Sequence, residues 1–392
     1  MTAPASLPDP DPAGLARSQR LAALIRADIA ASPAGAIPFA DYMRRALYEP
    51  GLGYYASDNP IFGAAGDYVT APESGELFAA CLARQCREIL ADDGEVIVEY
   101  GAGSGRLAGA LCSALLGADP GLRYHIVEPS AALRARQRAH LERSVPALVE
   151  RVSWSADHVA VGSGVIVANE VLDAMPAARV RTGDAGPEVL GVGLDGDAFV
   201  WRAMGPPQAP PPAAFLAALA TRPAGYVSEY LPGLESWCAG LAGVLTRGVA
   251  LIADYGYARH EYLHPARRDG TLKCHYRHHV HDDPFFLPGL QDLTVSVDFT
   301  HLAEAAAEAG FRVAGYATQA RFLIGCGLER IMLEAAGASA VADYARAQEA
   351  KRLLLPGEMG ETFKFMALAI DYDATLCGFV ADERHRLDGF AR

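Results

Sequence analysis

The residues that best combine chemical type with spacing are the acid and glycines of EYGAGSG, which runs from Glu99 to Gly105. The apolar run VIVEY leads into it and the helix-forming run RLAGALCSALL follows, so a strand should end and a helix begin there. Gly101, Gly103 and Gly105 let the backbone turn tightly and lie against a ligand, where a Cβ atom would intrude. A dinucleotide fingerprint needs GxGxxG, but Arg106 stands where its third glycine belongs. The spacing therefore argues against NAD binding. The alternative to a ligand-binding loop is an ordinary glycine-rich turn between a strand and a helix.

A second acidic signal stands about one strand–helix–strand unit further along the chain. Glu128 ends the apolar run YHIVE. A carboxylate there can accept hydrogen bonds from both hydroxyls of a ribose, and bonds to a charged group contribute about 1.5–3 kcal/mol. Because NAD would use the same position, Glu128 predicts a bound nucleoside without selecting which one. A solvated acid with no ligand is the alternative.

Polar residues also follow the fourth apolar strand, in the segment ANEVLDAMP. Ligands of doubly wound sheets bind outside the carboxyl ends of the strands, so Asn169 and Glu170 should face the reacting group. If Glu170 and Asp173 begin a helical turn, their spacing puts both carboxylates on one side. That arrangement suits a cationic acceptor such as a guanidinium, which carboxylates can orient and help to deprotonate. The alternative is that Asn169 caps a turn and both acids bond local backbone.

These segments lie where short apolar strands alternate with helices, a pattern typical of a parallel sheet with crossover helices. We expect a disordered, acidic and Pro-rich tail at residues 1–14, and a helical and loop extension at residues 15–92. Residues 93–392 should form the main domain. Segments at about 177–247 and 257–297 interrupt it, the first with antiparallel strands, and should form a rim that selects the substrate.

The composition excludes several classes of protein. The 392 residues carry a formal net charge of −13, which opposes a nucleic-acid partner because phosphate contacts need clustered Lys and Arg. No stretch approaches the roughly 18 consecutive apolar residues that cross a bilayer, so we expect no membrane insertion. The seven cysteines form no CxxC pair and argue against a disulfide framework. With no secretory or transit pattern in the first residues, we predict a cytoplasmic protein.

The acid placed two residues before GxGxG is similar to the pattern of class I S-adenosylmethionine methyltransferases. A narrower resemblance, to the MidA-like family of that class, spans residues 38 to about 368 and rests on several segments in order; these are PFADYMRRALYEPGLGYY, GDYVTAPE, EYGAGSG, NEVLDAMP, ADYG, DLTVSVDF and MGETFKFMAL. The resemblance implies an α/β, Rossmann-like fold with a mostly parallel seven-stranded sheet and helices on both faces. It also implies an N-terminal extension and an insertion after the fourth strand.

The same resemblance implies the activity and its cofactor. It implies S-adenosyl-L-methionine as methyl donor and an arginine of a protein as acceptor, in one mitochondrial member on a subunit of the respiratory NADH dehydrogenase. The implied cofactor residues are Glu99, Gly101, Gly103, Gly105, Glu128, Asp157 and, in a lid, Gly66, Asp67 and Thr70. The implied acceptor-side residues are Asn169, Glu170 and Asp173. For Asp157, which resembles the acid that meets the adenine amino group, a helix N-cap is the alternative.

Other interpretations remain open at this point. The chain could be a binding or assembly protein that keeps the fold without catalysis, or a methyltransferase for a small molecule or nucleic acid. The stretch CHYRHHVHDD (residues 274–283) is dense in ligand types, yet no structural-zinc spacing fits it, and we expect a substrate rim and no metal. The tyrosines at positions 42, 48, 54, 55 and 68 either pack the N-terminal segment or surround a substrate arginine.

Overall fold

The computed structural model describes residues 7–57, 75–91, 93–207, 210–337 and 339–390. The strands in these ranges are β1 (Ala36–Pro38), β2 (Val96–Tyr100), β3 (Arg123–Val127), β4 (Val152–Ser155), β5 (Gly162–Asn169), β6 (Ala178–Gly183), β7 (Gly186–Asp195), β8 (Ala198–Ala203), β9 (Val227–Tyr230), β10 (Leu245–Tyr257), β11 (Lys273–Tyr276), β12 (His279–His281), β13 (Asp292–Thr294), β14 (Val297–Asp298), β15 (Arg312–Thr318) and β16 (Phe363–Ile370). The α-helices are α1 (Pro12–Ala31), α2 (Phe39–Tyr48), α3 (Leu77–Leu90), α4 (Arg106–Leu111), α5 (Ala131–Ser144), α6 (Ala213–Leu219), α7 (Leu234–Ala242), α8 (Arg259–Tyr262), α9 (Phe299–Glu308), α10 (Gln319–Gly325), α11 (Leu328–Ala335) and α12 (Ala340–Leu354).

Packing divides the chain into two units, each assembled from separate stretches. The first takes its described residues from Met1–Val69, Asp173–Gly233 and His260–Ser296. The second takes them from Thr70–Leu172, Leu234–Arg259 and Val297–Arg392. Among the described residues, every helix is too short or too polar to cross a bilayer.

The second unit is built on a mostly parallel sheet. Its described strands follow the order β15-β16-β10-β5-β2-β3-β4, and the short β14 pairs with the end of β10. The strands from β10 to β4 run parallel to their neighbours, whereas β16 is antiparallel to both β10 and β15. The run VIVEY of β2 is buried at every position, as expected for a parallel strand covered on both faces. The predicted α/β fold with a mostly parallel sheet is confirmed.

The strand order places the polar segments at one edge of this sheet. The order reverses at β2, which has β3 on one side and β5 on the other. Tyr100 pairs with Val127 and with Ala168, and Ala253 of β10 pairs with Asn169. Because these strands are parallel, their carboxyl ends meet at one edge. Ligands of doubly wound sheets bind at such a switch point, so the glycine loop and the acids after β3 and β5 lie where a ligand is expected.

Helices cover the sheet with apolar side chains and form the core of the second unit. Phe322 of α10 stacks on Phe365 of β16 at 3.8 Å with the rings almost parallel, and both rings are fully buried. Phe78 of α3 also contacts Phe365. These rings belong to the buried apolar core of the second unit, which also includes Ile97 of β2 and Val165 of β5.

The close approach of β2, β5 and β10 depends on glycine. A Cβ atom at Gly164 would overlap the carbonyl oxygen of Val96, and one at Gly248 would overlap the carbonyl oxygen of Gly164. We predict that Gly164→Ala lowers the free energy of unfolding by about 3 kcal/mol, because the strands must move apart. Urea denaturation measures this. Gly121→Ala, whose added Cβ makes only ordinary contacts, should change it by less than about 0.5 kcal/mol, and equal effects would contradict the explanation.

The first unit contains antiparallel strands. β7 pairs with β1, β6 and β8, β6 also pairs with β9, and β11 pairs with β12 and β13. Aromatic rings of α2 pack on this sheet, with Phe39 4.9 Å from the ring of Trp201 and Tyr42 5.9 Å from that of Phe199. The antiparallel strands predicted after the fourth parallel strand are confirmed as β6, β7 and β8.

The predicted boundaries of the N-terminal elements need correction. Helix α1 begins at Pro12, before the predicted start of the extension at residue 15, because Asp11 caps it by accepting a bond of 2.8 Å from the Gly14 N–H and proline suits its first turn. The predicted tail at residues 1–14 therefore overlaps this helix. The insertion predicted at about 177–247 also extends too far, since α7 and the start of β10 belong to the second unit.

Candidate functional site

The glycine segment leaves β2 through a loop with left-handed backbone. Gly101, Gly103 and Gly105 have φ angles of 62°, 53° and 85°, which glycine adopts without steric cost. An added Cβ would lie 3.1 Å from Val171 Cγ2 at Gly101 and 3.3 Å from Gln137 Cα at Gly105. At its three glycines the loop therefore presents only backbone atoms at the carboxyl end of β2.

Glu99 lies in β2 just before this loop, and its side chain is buried. Its Oε2 accepts a hydrogen bond of 2.8 Å from the hydroxyl of Tyr124 in β3. Burial raises the pKa of the Glu99 carboxyl to about 7; the bond from Tyr124 opposes the rise and the charge of Glu128 adds to it. A cation that reached Glu99 would stabilise its charged form.

The raised pKa of Glu99 predicts a specific pH dependence of stability. The unfolded chain loses this proton near pH 4.5 and the folded chain near 7, so stability falls as pH rises between those values. The loss amounts to about 3 kcal/mol at about 1.4 kcal/mol per pH unit. We therefore expect Glu99→Gln, in cofactor-free protein, to resist urea better than wild type at pH 8 but not at pH 5. The control is Glu95→Gln, which changes an exposed acid before β2 and should show no such difference between the two pH values. Equal effects of Glu99→Gln at pH 5 and pH 8 would contradict the raised pKa of Glu99.

Glu128 lies directly after β3 and is held by a small polar network. Its Oε1 accepts a bond of 2.9 Å from the Ser130 N–H, and its Oε2 accepts one of 3.3 Å from Gln137 Nε2. Gln137 Nε2 also donates to the carbonyl of Gly103 at 3.2 Å, and its Oε1 accepts from Trp154 Nε1 at 3.2 Å. Burial raises the pKa of the Glu128 carboxyl, while Ser130 and Gln137 oppose the rise. Gln137 thus links the glycine loop to the buried acid.

Asp157 lies in an exposed turn after β4. Its carbonyl accepts a bond of 2.7 Å from Ser155 Oγ, and no helix begins there, so the N-cap alternative is wrong. In the adjacent residue, His158 Nδ1 is 2.7 Å from the Tyr100 hydroxyl, and the Tyr100 ring meets Trp237 edge to face at 6.1 Å. Burial lowers the pKa of His158 against the opposing charge of Asp157. Aromatic groups therefore lie beside this turn.

The chain leaves β5 through a strained residue. Glu170 has a φ of 53°, a left-handed conformation that is uncommon outside glycine and costs about 1–3 kcal/mol. Its N–H donates to the carbonyl of Ala253 at 2.9 Å. The helical turn predicted from Glu170 to Asp173 does not form, because the left-handed backbone of Glu170 is incompatible with a right-handed helix.

Two side chains shape the turn around Glu170. The fully buried Asp254, in β10, accepts a bond of 2.9 Å from the Leu172 N–H. Asn169 Nδ2 donates to Glu170 Oε1 at 3.1 Å, and Asn169 Oδ1 is buried without a hydrogen-bond partner among the described residues. A buried acceptor of this kind calls for a donor from a ligand or water.

Asp173 and the predicted lid complete the set of predicted site residues. Asp173 is grouped with the first unit, where it is buried and its carbonyl accepts a bond of 3.0 Å from the Val295 N–H. Gly66, Asp67 and Thr70, the predicted lid, lie outside the described residues. Sequence reasoning missed Asp254 and Gln137. The signal for Asp254 was the acid of ADYG at the end of the fifth parallel strand, whereas Gln137 sits in a polar helix with nothing to distinguish it.

The histidine-rich stretch forms the β11–β12 hairpin of the first unit. Cys274 pairs with His281 and His275 with Val280 across the hairpin. Burial raises the pKa of Cys274 and lowers those of His275 and His281. The described part of the chain brings together no group of three His, Cys, Asp or Glu side chains suited to a metal ion.

Comparison with known proteins defines the class. Residues 81–317 match the family model described as "Putative S-adenosyl-L-methionine-dependent methyltransferase". A solved structure from Burkholderia thailandensis, bound to S-adenosyl-homocysteine, is 41% identical with a TM-score of 0.90 and covers 97% of this chain and 100% of that one. The chain therefore belongs to this family of methyltransferases, and S-adenosyl-L-methionine is its cofactor.

Curated relatives add a more particular similarity. Protein arginine methyltransferase NDUFAF7 of Danio rerio is 29% identical over 85% of this chain and 83% of its own length. The Homo sapiens protein of the same name is 28% identical over 85% of this chain and 80% of its own length. Both are named as mitochondrial. They contradict the predicted cytoplasmic location, and that prediction was wrong.

Proposed function

We propose that this methyltransferase transfers the methyl group of S-adenosyl-L-methionine to a guanidino nitrogen of an arginine in a protein. The observation that carries the proposal is the pair formed by Glu170 and Asn169 at the carboxyl end of β5. The Glu170 carboxylate, carried by a strained backbone position, lies beside the buried, unsatisfied amide oxygen of Asn169, and the two together suit a cationic ligand with several N–H donors. The relatives named protein arginine methyltransferases support the same acceptor.

The residues at the ends of β2 and β3 fit the cofactor. We assign the loop of Gly101, Gly103 and Gly105 to close approach of the cofactor, because it presents backbone at the carboxyl end of β2, and a Cβ atom at Gly101 or Gly105 would meet neighbouring atoms. Glu128 is already held by Ser130 and Gln137, so its oxygens are fixed to receive ribose hydroxyls without further ordering.

The two other acids complete the cofactor assignment. We assign buried Glu99 to bind the positive charge of the methionine part. Burial raises the pKa of the Glu99 carboxyl, and a neighbouring positive charge would stabilise its ionised form. We assign Asp157 to the adenine amino group. This last assignment rests on the exposed turn after β4 and on the family pattern.

On the acceptor side the residues orient a cation and remove a proton. When bound, the cofactor would supply an electrophilic methyl group on a sulfonium, and the S–C bond would break with its electron pair left on sulfur, giving S-adenosyl-homocysteine. The Glu170 carboxylate accepts N–H bonds from the guanidinium, which turns one nitrogen toward the methyl carbon. As that nitrogen forms its bond to carbon it must lose a proton, and Glu170 is the base we assign to accept it. Asn169 Oδ1 accepts a further N–H bond, and we assign Asp173 to the acceptor side as a second carboxylate.

For the substrate we propose a subunit of the respiratory NADH dehydrogenase. The support is the similarity of several segments of this chain to the MidA-like family, one mitochondrial member of which acts on such a subunit. The net charge of −13 also favours a partner region rich in arginine and lysine.

The experiment removes the gene from the source cells and restores either the wild type or Glu170→Gln. Mass spectrometry then compares arginine methylation in whole protein and in enriched NADH dehydrogenase. We expect methylarginine in that complex to disappear on removal and to return only with the wild type. If it returns on a different protein, the substrate proposal fails; if arginine methylation never changes, the acceptor proposal fails.

A further inference from the structure

Two cysteines of the second unit, far apart in the sequence, lie together in the fold. Cys326 follows the last residue of α10, and Cys377 begins the short turn Cys377–Phe379. A Cβ atom at Gly325 would lie 2.5 Å from the carbonyl oxygen of Cys377, and one at Gly378 would lie 3.2 Å from Cys326 Sγ. The two backbone segments are therefore in direct contact, with one cysteine on each side of the contact.

The two thiols belong to a directed chain of hydrogen bonds. Cys326 donates from its thiol to the sulfur of Cys377, and Cys377 Sγ donates to Gln85 Oε1 at 3.5 Å. The same amide oxygen accepts a bond of 2.8 Å from the Gly378 N–H. Gln85 Nε2 donates to Glu88 Oε2 at 2.8 Å, which fixes the orientation of the amide. The position of the Cys377 sulfur between Cys326 and Gln85 is therefore well defined.

The two thiols differ in access and in acidity. Cys326 is fully buried, whereas Cys377 is partly exposed. The hydrogen bond from Cys326 lowers the pKa of the Cys377 thiol and the charge of Arg84 adds to this, while burial and Glu88 oppose it. The same hydrogen bond, together with burial, raises the pKa of Cys326. An accessible thiol of lowered pKa beside a second thiol is the arrangement found at oxidation-sensitive cysteines.

We propose that Cys377 is a site of reversible oxidation by hydrogen peroxide, and that Cys326 converts the oxidised sulfur into a disulfide. The Cys377 thiolate attacks one oxygen of the peroxide, the O–O bond breaks, and a sulfenic acid forms as hydroxide leaves and takes up the thiol proton. The Cys326 sulfur then attacks the Cys377 sulfur. The S–S bond forms, the S–O bond breaks, and water leaves with the Cys326 proton. Two thiols lose two electrons, and the peroxide is reduced to two waters.

Neighbouring cysteines of α3 provide an internal comparison. Cys81 and Cys86 are fully buried, and their charges also act on Cys326. Burial raises the pKa of each of these two thiols to about 12. Because the thiolate is the reactive form, both should stay reduced at neutral pH. The proposed disulfide is therefore specific to Cys326 and Cys377.

Mapping of disulfides in the folded protein tests the proposal directly. Fully reduced wild type is treated with hydrogen peroxide at neutral pH, alkylated, digested without reduction and analysed by mass spectrometry. We expect a peptide pair linked through Cys326 and Cys377, which dithiothreitol removes. Wild type unfolded in urea should show no preference for this pair. Absence of the link in folded protein, or a link from Cys377 to Cys81 or Cys86, would overturn the proposal.

Two variants and a control establish the order of the reaction. Cys326→Ser should lose the link and keep Cys377 as a sulfenic acid, which dimedone labels. Cys377→Ser, at the partly exposed position, should leave Cys326 reduced. Cys238→Ser, which changes a fully buried cysteine of α7, should form the link as wild type does. Oxidation of Cys326 in Cys377→Ser at the wild-type rate, or no dimedone label in folded Cys326→Ser, would contradict the assigned roles.

Discussion

Glu170→Gln should reduce methyl transfer about 100- to 10,000-fold, the range expected when a positioned acid–base group is lost. The amide keeps the size of the side chain but cannot accept the guanidinium proton or balance its charge. Affinity for S-adenosyl-homocysteine should change less than about threefold, because the cofactor residues are untouched. The measurement pairs turnover of methyl-labelled S-adenosyl-L-methionine with calorimetric titration of S-adenosyl-homocysteine.

A glycine at the same position supplies a second readout. Glu170→Gly should also be inactive, yet it should raise the free energy of unfolding by about 1 kcal/mol, because glycine tolerates the φ of 53°. Glu308→Gln, an exposed acid of α9, serves as the control and should keep full turnover. Full activity of Glu170→Gln would remove Glu170 from the reaction.

Glu128→Ala, which removes the acceptor of both ribose hydroxyls, should weaken binding of S-adenosyl-homocysteine about 100- to 10,000-fold. Each hydrogen bond from a ribose hydroxyl to a carboxylate contributes about 1.5–3 kcal/mol, and about 1.4 kcal/mol is a tenfold change in affinity. Calorimetric titration measures the effect, with NAD titrated into the wild type as a specificity check.

The control for Glu128 is Glu142→Ala, which removes an exposed acid of the nearby helix α5. It should bind as the wild type does. Circular dichroism establishes that the Glu128→Ala protein is folded, because Glu128 also accepts bonds from Ser130 and Gln137. A folded Glu128→Ala protein with wild-type affinity would show that the ribose lies elsewhere.

The parallel sheet could be predicted because its strands are short apolar runs separated by helical periods. VIVEY, YHIVE and GVALIADYG occur where β2, β3 and β10 lie, and the polar residues that follow them meet at one edge as parallel strands require. The glycine loop was also predictable as a tight turn, because its three glycines permit the left-handed backbone that the structure shows. Local patterns therefore identified the sheet and the segments at its ligand-binding edge.

Local patterns indicated strands in the first unit but could not predict how those strands pair. The first unit depends on pairings between distant stretches, such as Ala36 with Gly193 and Arg179 with Glu229, and periodicity does not identify strand partners. The same reason hid Asp254, whose bond to Leu172 exists only because β10 lies beside β5. The left-handed Glu170 was missed because its side chain favours the helical turn that the backbone avoids.

The wrong prediction of a cytoplasmic location has a different cause. Charge, cysteine spacing and hydropathy bear on solubility and disulfide chemistry, and they do not specify the compartment in which a protein works. Compartment depends on address signals that receptors recognise, and these three properties do not identify such signals.

The central claim is methyl transfer to protein arginine, and an isotope experiment tests it most directly. Purified protein is incubated with S-adenosyl-L-methionine that carries a deuterated methyl group and with protein extract from cells lacking this chain. Acid hydrolysis and mass spectrometry then locate the label. The account predicts deuterated methylarginine with the wild type and none with Glu170→Gln. Label on lysine, on a small molecule or on nucleic acid, or none at all with the wild type, would contradict it.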